Sequence, residues 1–488
     1  MQILSIIRIV GILVICFSGT MLAPAFVALI YDDGGGTAFI ETFVMSLSAG
    51  LLLWWWCRRH KAMLRARESF LIVVLFWVLL GSLGAIPFLL FDSQHFTMAS
   101  AFFESFSGLT TTGATVLVGL DEMPKALLFY RQFLQWLGGM GIIVLAVAIM
   151  PLLGIGGMQM QMYRAETSVA NSEKMRPRIA ETAKILWIIY SILTALCALA
   201  YWWAGMDGFD AICHSFSTVS IGGFSTHDAS IGYFNNSVIN WITVLFLFIS
   251  GCNFALHFRA ISEIGRENTL KIYWRDAEFR FFAAIQLALI SVTFAFLYGY
   301  NQFSTVGMSL EQAAFQAVSI STTTGYTTDN FNSWPSFIPM LLIFSSFIGG
   351  CVGSTGGGLK VVRILVLWLQ GKRELNRFVH PKVVHSIKLG QRLLPERLIE
   401  GIWAFFSAYL LVFILCFLGV IACGVRAFDA FNAVAACLNN LGIGLGSVSS
   451  NMLKIPDSAK WILTFAMICG RVEIFSVLVL LTPAFWKS

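Results

Sequence analysis

The sequence predicts an all-α integral membrane protein. Four pseudo-symmetric units, each a span, a short pore helix and a second span, surround one pore, and two further transmembrane helices precede them. Three observations carry this prediction: an apolar composition with little charge, Lys and Arg gathered at one end of the apolar runs, and a glycine-punctuated pattern that recurs four times.

Of 488 residues, 57% are hydrophobic and 12% charged, with a mean hydropathy of +0.78. Soluble domains carry about 25% charged residues, so a soluble enzyme of this length is disfavoured. The 43 Phe and 15 Trp suit lipid-facing helices and interfacial belts. The ten cysteines include no C-x-x-C pair and no zinc spacing, and read as small buried hydrophobes.

A bilayer core needs about 20 apolar residues per helix. Segments near 3–30, 38–57, 70–91, 126–155, 184–204, 238–262, 279–300, 336–370, 399–422 and 459–486 meet that length, which predicts about ten spans. The first is longer than the ~7–15 apolar residues of a signal peptide and lacks a small-residue cleavage site, so a retained span is expected. Four shorter apolar stretches, near 97–112, 209–222, 311–324 and 428–441, are too short to cross.

Sidedness follows from the bases, because short cytoplasmic loops are enriched in Lys and Arg. On one side fall 26 of the 32 Lys and Arg, in clusters at 58–67, 164–184, 259–280 and 360–397 together with Arg8 and Lys487. Both termini are expected in the cytoplasm. The bases therefore read as topology markers rather than as a nucleic-acid surface. Acids collect on the other side (Asp32, Asp33, Asp92, Asp121, Glu122, Asp207, Asp228, Asp329 and Asp457), where the short stretches open. An acidic vestibule concentrates cations.

The four short stretches align as Ala101–Gly113, Ala211–Gly223, Ala313–Gly325 and Ala430–Gly442, with Ala preceding Gly by 12 in each. Ser107, Ser217 and Ser319 share a column, and Phe-Asp-Ala opens the second and fourth stretches. A second glycine (Gly139, Gly251, Gly350, Gly470) follows 25 to 28 residues later in the next span. The expected division is two N-terminal helices in 1–69 and pore units in 70–165, 166–275, 276–395 and 396–488.

Non-helical backbone at membrane depth persists only where it lines water or is buried in protein. A half-crossing helix whose C-terminus points inward presents the negative end of its dipole, which favours a cation. The extended residues after it expose carbonyl oxygens able to replace an ion's hydration shell. Glycine serves where φ is positive and where four backbones crowd one axis. The candidate ion-lining residues are Thr111, Thr112 and Gly113; Ile221, Gly222 and Gly223; Thr323, Thr324 and Gly325; and Asn440, Leu441 and Gly442. Helix-packing glycines of the small-xxx-small kind are the bland alternative, and four copies in register argue against it.

The stretch Gly349, Gly350, Gly353, Ser354, Thr355, Gly356, Gly357 and Gly358 holds six glycines in ten positions. Each costs about 1 kcal/mol in a helix interior, so an unwound segment able to obstruct the pore is expected. It lacks the spacing and preceding strand of a phosphate-binding loop. Arg471 falls mid-span, where a charge costs roughly 2.5–3.5 kcal/mol. It is expected to line the pore cavity, the alternative being an ion pair with Glu473. Glu104, His214 and Gln316 occupy equivalent pore-helix positions and read as packing contacts rather than ion ligands. His60, His257, His380 and His385 form no ligand set, and no catalytic cluster lies at one depth, so the chain is not read as an enzyme. A solute-coupled transporter built on inverted repeats is disfavoured by four parallel units.

These units, with single glycines at 113, 223, 325 and 442, resemble the Trk/Ktr/HKT superfamily of potassium-uptake proteins over about 70–486, and its bacterial Trk membrane-subunit branch (TrkH/TrkG type) above all. The two extra N-terminal spans and the segment Arg131–Ile142 fit that branch. The resemblance implies potassium as the transported ion, since all four filter positions hold glycine, with no organic cofactor in this chain. It further implies a gate at 349–358 with Arg471 below the filter, and a homodimer in the bacterial inner membrane. The implied partner is a cytoplasmic ring of RCK-type (TrkA-like) subunits that bind NAD(H) and ATP/ADP. Passive flow and H⁺- or Na⁺-coupled symport both stay open. The basic stretch 371–382 suits either anionic headgroups or an acidic protein.

Overall fold

The computed structural model describes residues 3–60, 66–91, 96–144, 175–263, 268–381, 386–390 and 392–486. Outside them lie the end of the span expected at 126–155, the boundary expected at 165/166, and the chain ends whose sidedness was read from charge. Asp92, His385, Lys61, Arg65, Arg164, Lys174, Arg266, Lys382 and Lys487 also lie outside them.

Helices α1 (Ile3–Thr20) and α2 (Leu22–Tyr31) run on as one span and return through α3 (Gly36–Cys57). The hairpin closes at two glycines. A Cβ on Gly11 would meet the backbone N of Trp54 at 2.8 Å, and one on Gly50 would meet the backbone N of Ile15 at 3.0 Å. Only hydrogen at these positions lets the two backbones approach so closely.

Unit 1 comprises α4 (Ala66–Phe91), pore helix α5 (Met98–Leu109) and inner helix α6 (Lys125–Val144). Unit 2 comprises α7 (Met175–Trp203), pore helix α8 (Gly208–Val219) and an inner span in two pieces, α9 (Ser237–Ser250) and α10 (Phe254–Ser262). The short α11 (Thr269–Arg275) leads into unit 3. That unit holds α12 (Ala277–Gly299), pore helix α13 (Val306–Ser321), α14 (Phe337–Ser346) and α15 (Val361–Val379). Unit 4 has α16 (Glu396–Ala422), pore helix α17 (Ala427–Leu438), α18 (Asp457–Arg471) and α19 (Ile474–Leu481), with a terminal turn α20 (Pro483–Trp486). A two-residue antiparallel pair, Lys388–Leu389 with Arg392–Leu393, is the one β element among the described residues.

Three pore helices start on side chains that accept a free backbone N–H of the first turn. Thr97 takes Ser100 N at 3.2 Å, Asp207 takes Phe209 N at 3.3 Å, and Thr305 takes Met308 N at 3.2 Å. Two of the inner spans depart from expectation, while the third unwinds where its glycines predict. The segments at 238–262 and 459–486 were expected as single helices, but they bend by 90° and 113° between their two pieces. At 347–360 the third is not helical at all. These breaks fall at Gly251, around Gly350 and at Val472–Glu473 just past Gly470, that is, at or just after the second glycine of each of these units. By length and composition, six described helices can cross a bilayer, or eight if each bent pair counts as one. The shortfall from ten lies in the broken third inner span and in the segment expected at 126–155, part of which lies outside the described residues.

Each inner helix grips the pore helix or pore turn of the next unit by a polar link. Gln135 Nε2 donates to Gly222 O at 2.6 Å, and Asn240 Nδ2 donates to Glu311 Oε1 at 2.6 Å. Asn439 Nδ2 donates to Ser346 Oγ at 2.9 Å, and Lys460 Nζ donates to Ser100 Oγ at 3.0 Å. The fourth link returns to unit 1, so the units form a closed ring.

Filling the N-terminal crossing is the direct test of the hairpin. Gly11→Val is expected to cost about 1–3 kcal/mol and to lower the thermal midpoint of the detergent-solubilised protein. Gly19→Ala, where nothing lies within 4 Å, should leave it unchanged or raise it.

Candidate functional site

Each pore helix ends in the same turn. The backbone N of Thr112, Gly222, Thr324 and Leu441 bonds back to the carbonyl of Ser107, Ser217, Ser319 and Ala436, all at 2.8 Å. The residue before it closes a shorter loop, as Thr111 N does to Gly108 O at 3.0 Å. This is the six-to-one and five-to-two pairing of a Schellman motif. The left-handed residue is not glycine in any copy: φ is 51° at Thr111, 57° at Ile221, 71° at Thr323 and 56° at Asn440. Two residues on, Gly113, Gly223, Gly325 and Gly442 stand at φ 81°, 81°, 83° and 85°. The Ser column of the sequence therefore matters through its backbone carbonyl, which explains Ala436 in the fourth copy.

The four turns meet around one axis. A Cβ on Gly113 would collide with the carbonyl of Gly222, one on Gly223 with that of Thr324, one on Gly325 with that of Leu441, and one on Gly442 with that of Thr112. All four approaches are under 3.0 Å, closer than real Cβ atoms come. All twelve candidate residues thus belong to one ring, in the order of the units.

Neutral hydrogen bonds brace much of that ring from behind. Thr110 and Thr112 hydroxyls lie 2.7 Å apart, and those of Thr322 and Thr324 lie 2.9 Å apart. Asn440 Nδ2 donates to Thr112 Oγ1 at 2.9 Å and to Met467 O at 3.1 Å, tying unit 4 to unit 1. Gln135, besides holding Gly222 O, accepts from Phe224 N at 3.2 Å. Glu104 and His214 back the turns of their own units: Thr115 Oγ1 donates to Glu104 Oε1 at 2.9 Å, and His214 Nε2 lies 3.0 Å from Ser225 Oγ. Gln316 is buried with no hydrogen-bond partner among the described residues. Sequence reasoning missed Gln135. Its signal was a buried-type polar residue one helical turn after Arg131.

The glycine-rich stretch 347–360 crosses against the ends of three pore helices. Thr355 Oγ1 donates to Val219 O at 3.0 Å. Gly357 N donates to Thr323 Oγ1 at 2.7 Å, and Gly358 N donates to Asn439 O at 3.1 Å. A Cβ on Gly356 would sit 2.8 Å from Thr322 O. Gly349, Gly353 and Gly358 take φ of 73°, 75° and 73°, which a side chain disfavours. Cys351 N bonds Gly251 O at 2.9 Å and Val361 N bonds Gly350 O at 3.1 Å, so Gly350 seats the loop against the bend of unit 2. Ser354 Oγ folds back on Cys351 O at 2.7 Å. Lys360 Nζ donates to Gly356 O, and Glu278 accepts from Val352 N at 2.7 Å. Neither contact was read from sequence, since nothing local links residue 278 to 352.

Arg471 is 2% exposed. Its Nη1 donates to Thr355 O at 2.8 Å and its Nη2 to Gly138 O at 3.4 Å, while its Nε has no partner among the described residues. Among the described residues no carboxylate pairs with it. Glu473, the alternative partner in the sequence, instead meets Arg363 Nη2 at 2.9 Å. The structure also refines the repeat: Gly138, not Gly139, abuts the end of its own pore helix (Leu109 O), as Gly470 abuts Leu438 O.

At the other end of the pore helices, the loops of units 1 and 2 are clasped by His227. Its ring bonds Asp121 through Nδ1 and Asp210 through Nε2 (3.1 Å), and stacks on Tyr233 at 3.5 Å. Burial opposes charge on this imidazole, but the carboxylates of Asp210 and Asp121 more than offset it and hold its pKa above the ordinary histidine value. Asp228 completes the clasp by accepting from Gly119 N at 2.9 Å.

Comparison with known proteins follows the same lines. The TrkH family, described as cation transport proteins, matches residues 35–488. The Trk system potassium uptake protein TrkH of Escherichia coli (strain K12) is 60% identical over 485 residues, 99% of each chain. The protein of that name from Vibrio parahaemolyticus serotype O3:K6 is 60% identical over 489 residues and covers all of both chains. A crystal structure of the potassium transporter TrkH from Vibrio parahaemolyticus matches with a TM-score of 0.93 and 58% identity over the whole of both chains.

The clasp generates a pH dependence with a defined sign. A histidine whose folded-state pKa is raised contributes stability that is complete below its unfolded value of about 6.5 and lost as pH rises through the folded value. The thermal midpoint in detergent should therefore fall as pH is raised above about 6.5. Substituting His227→Gln should remove that component of the slope.

Proposed function

Because the chain belongs to the TrkH family of cation transport proteins, which are multi-pass membrane transporters and not enzymes, we propose that it carries K⁺ into the cell through the ring of Gly113, Gly223, Gly325 and Gly442. The observation that carries this reading is the closed contact of each glycine with a carbonyl of the next unit. Such a ring offers backbone dipoles in place of water to a dehydrated ion. None of the twelve ring positions holds a carboxylate. Divalent sites are built from carboxylates, so the chemistry favours a monovalent cation. The relatives' names agree, being those of potassium uptake proteins.

In this reading Thr355–Gly357 is the obstruction beneath the filter and Arg471 its latch. The guanidinium holds the Thr355 carbonyl and sets a positive charge where a cation would pass. Opening requires the loop to leave Val219, Thr323 and Asn439 together. The units 70–165, 166–275, 276–395 and 396–488 follow the ring, with 1–69 as a preceding hairpin. We place the protein in the bacterial inner membrane with both termini cytoplasmic, as a homodimer. Its opening is governed by a cytoplasmic nucleotide-sensing Trk subunit of the RCK type.

Two substitutions test this. Gly325→Ser should displace the Leu441 carbonyl and lower K⁺/Na⁺ discrimination in proteoliposome flux by roughly tenfold, equivalent to ~1.4 kcal/mol. Unchanged selectivity would overturn the filter assignment. Removing Ser354–Gly357 should raise K⁺ flux in the absence of any cytoplasmic partner, and flux that still requires the partner would overturn the gate.

A further inference from the structure

The two outer strands that leave the ring in units 1 and 2 are joined by one buried ion pair. Arg131 is 1% exposed and Glu104 fully buried, with Nε to Oε1 at 2.8 Å. Glu104 reaches the first strand directly, its Oε2 accepting from Val116 N at 3.0 Å, three residues past Gly113. Arg131 Nη2 donates to Thr115 Oγ1 at 3.1 Å, and that hydroxyl in turn accepts from Leu117 N at 3.0 Å. On the other side Arg131 Nη1 donates to Ser225 O at 3.1 Å, two residues past Gly223, and the guanidinium carbon sits 4.3 Å from the centroid of the Phe224 ring.

The arrangement is confined to one half of the ring. The position of Glu104 in its pore helix is filled by His214 in unit 2, Gln316 in unit 3 and Ala433 in unit 4. His214 makes neutral-type bonds to Ser225 Oγ and Asp210 O, Gln316 has no partner among the described residues, and Ala433 has no polar group. Charge-assisted bonds are about twice as strong as neutral ones, so at this pore-helix position the segments leaving units 1 and 2 have a stronger brace than those of units 3 and 4. A buried pair is weak evidence for stability as such, because desolvation consumes most of its attraction. Its bonds to Thr115, Val116 and Ser225 suit fixing geometry instead.

We propose that Glu104 and Arg131 are positioning residues for ion selectivity, holding the strands after Gly113 and Gly223 at the spacing that fits K⁺ and resists closing on the smaller Na⁺. This rests on the filter reading above. A Na⁺ ion gains full coordination only if carbonyls move inward, and the pair opposes that movement in the half of the ring it spans.

The test is K⁺ and Na⁺ flux through the full-length protein in proteoliposomes, together with its thermal midpoint in detergent. Glu104→Gln and the neutral pair Glu104→Gln/Arg131→Gln should each lower the K⁺/Na⁺ ratio about tenfold, ~1.4 kcal/mol, with a smaller change in maximal K⁺ rate. Glu104→Asp, which keeps the charge, should restore part of the ratio and serves as the folded variant if Glu104→Gln is unstable. Gln316→Ala, at the equivalent unpartnered site, should leave the ratio unchanged. Variants that lose protein or rate but keep the wild-type ratio would overturn the proposal, as would an equal shift from Gln316→Ala. If Gly325→Ser shifts the ratio in the same assay and the Glu104 variants do not, this inference alone fails. If neither shifts it, the filter reading fails and this inference with it.

Discussion

Four backbones converge so closely on one axis that no side chain fits between them. That constraint governs the rest of the molecule. At Gly113, Gly223, Gly325 and Gly442 the next unit's carbonyl occupies the space a Cβ would need. Glycine there is a steric requirement, reinforced by φ near 80°. Around it, each pore helix must stop at the same depth, and the recurring six-to-one bond to Ser107, Ser217, Ser319 or Ala436 stops it. The cost of a left-handed Thr, Ile or Asn in every turn is of order 1 kcal/mol or more, and the surrounding packing offsets it.

The ring is symmetric in its backbone and asymmetric in its support. Unit 1 grips unit 2 through Arg131 and Gln135, whereas unit 3 meets unit 4 through Asn439 and Ser346, and unit 4 meets unit 1 through Asn440 and Lys460. The backbone geometry is what four carbonyl-lined turns demand. The side chains behind it brace that backbone with a different chemistry at each seam. This is why the repeat is easy to see at glycine and hard to see one layer out.

The inner spans show how a helix can be sacrificed. Units 2 to 4 break at or just after their second glycine, which frees backbone groups that helices would otherwise satisfy internally. The loop 347–360 takes up several of them: Cys351 N to Gly251 O, Gly358 N to Asn439 O, and Thr355 O to Arg471. A guanidinium in an apolar span is costly unless it is hydrogen-bonded, and the unwound loop supplies carbonyls a helix would keep for itself. The break and the buried charge thus explain each other.

The sequence by itself determined the membrane class, the four units, their order and the first glycine column. Those features are written in local composition and in a spacing of 12 residues repeated four times. It also marked Arg471 and the 349–358 stretch as exceptional, since a charge or six glycines within an apolar run is visible without a fold. Only the tertiary structure decided that the inner spans at 238–262 and 459–486 are bent, because a single glycine is compatible with a continuous helix until a loop competes for its carbonyl. Likewise it decided that Glu473 pairs with Arg363, leaving Arg471 to the backbone of Thr355, and that Glu104 and Arg131 join two strands of the ring. These pairings depend on distances through space between residues far apart in the chain, and periodicity does not encode them.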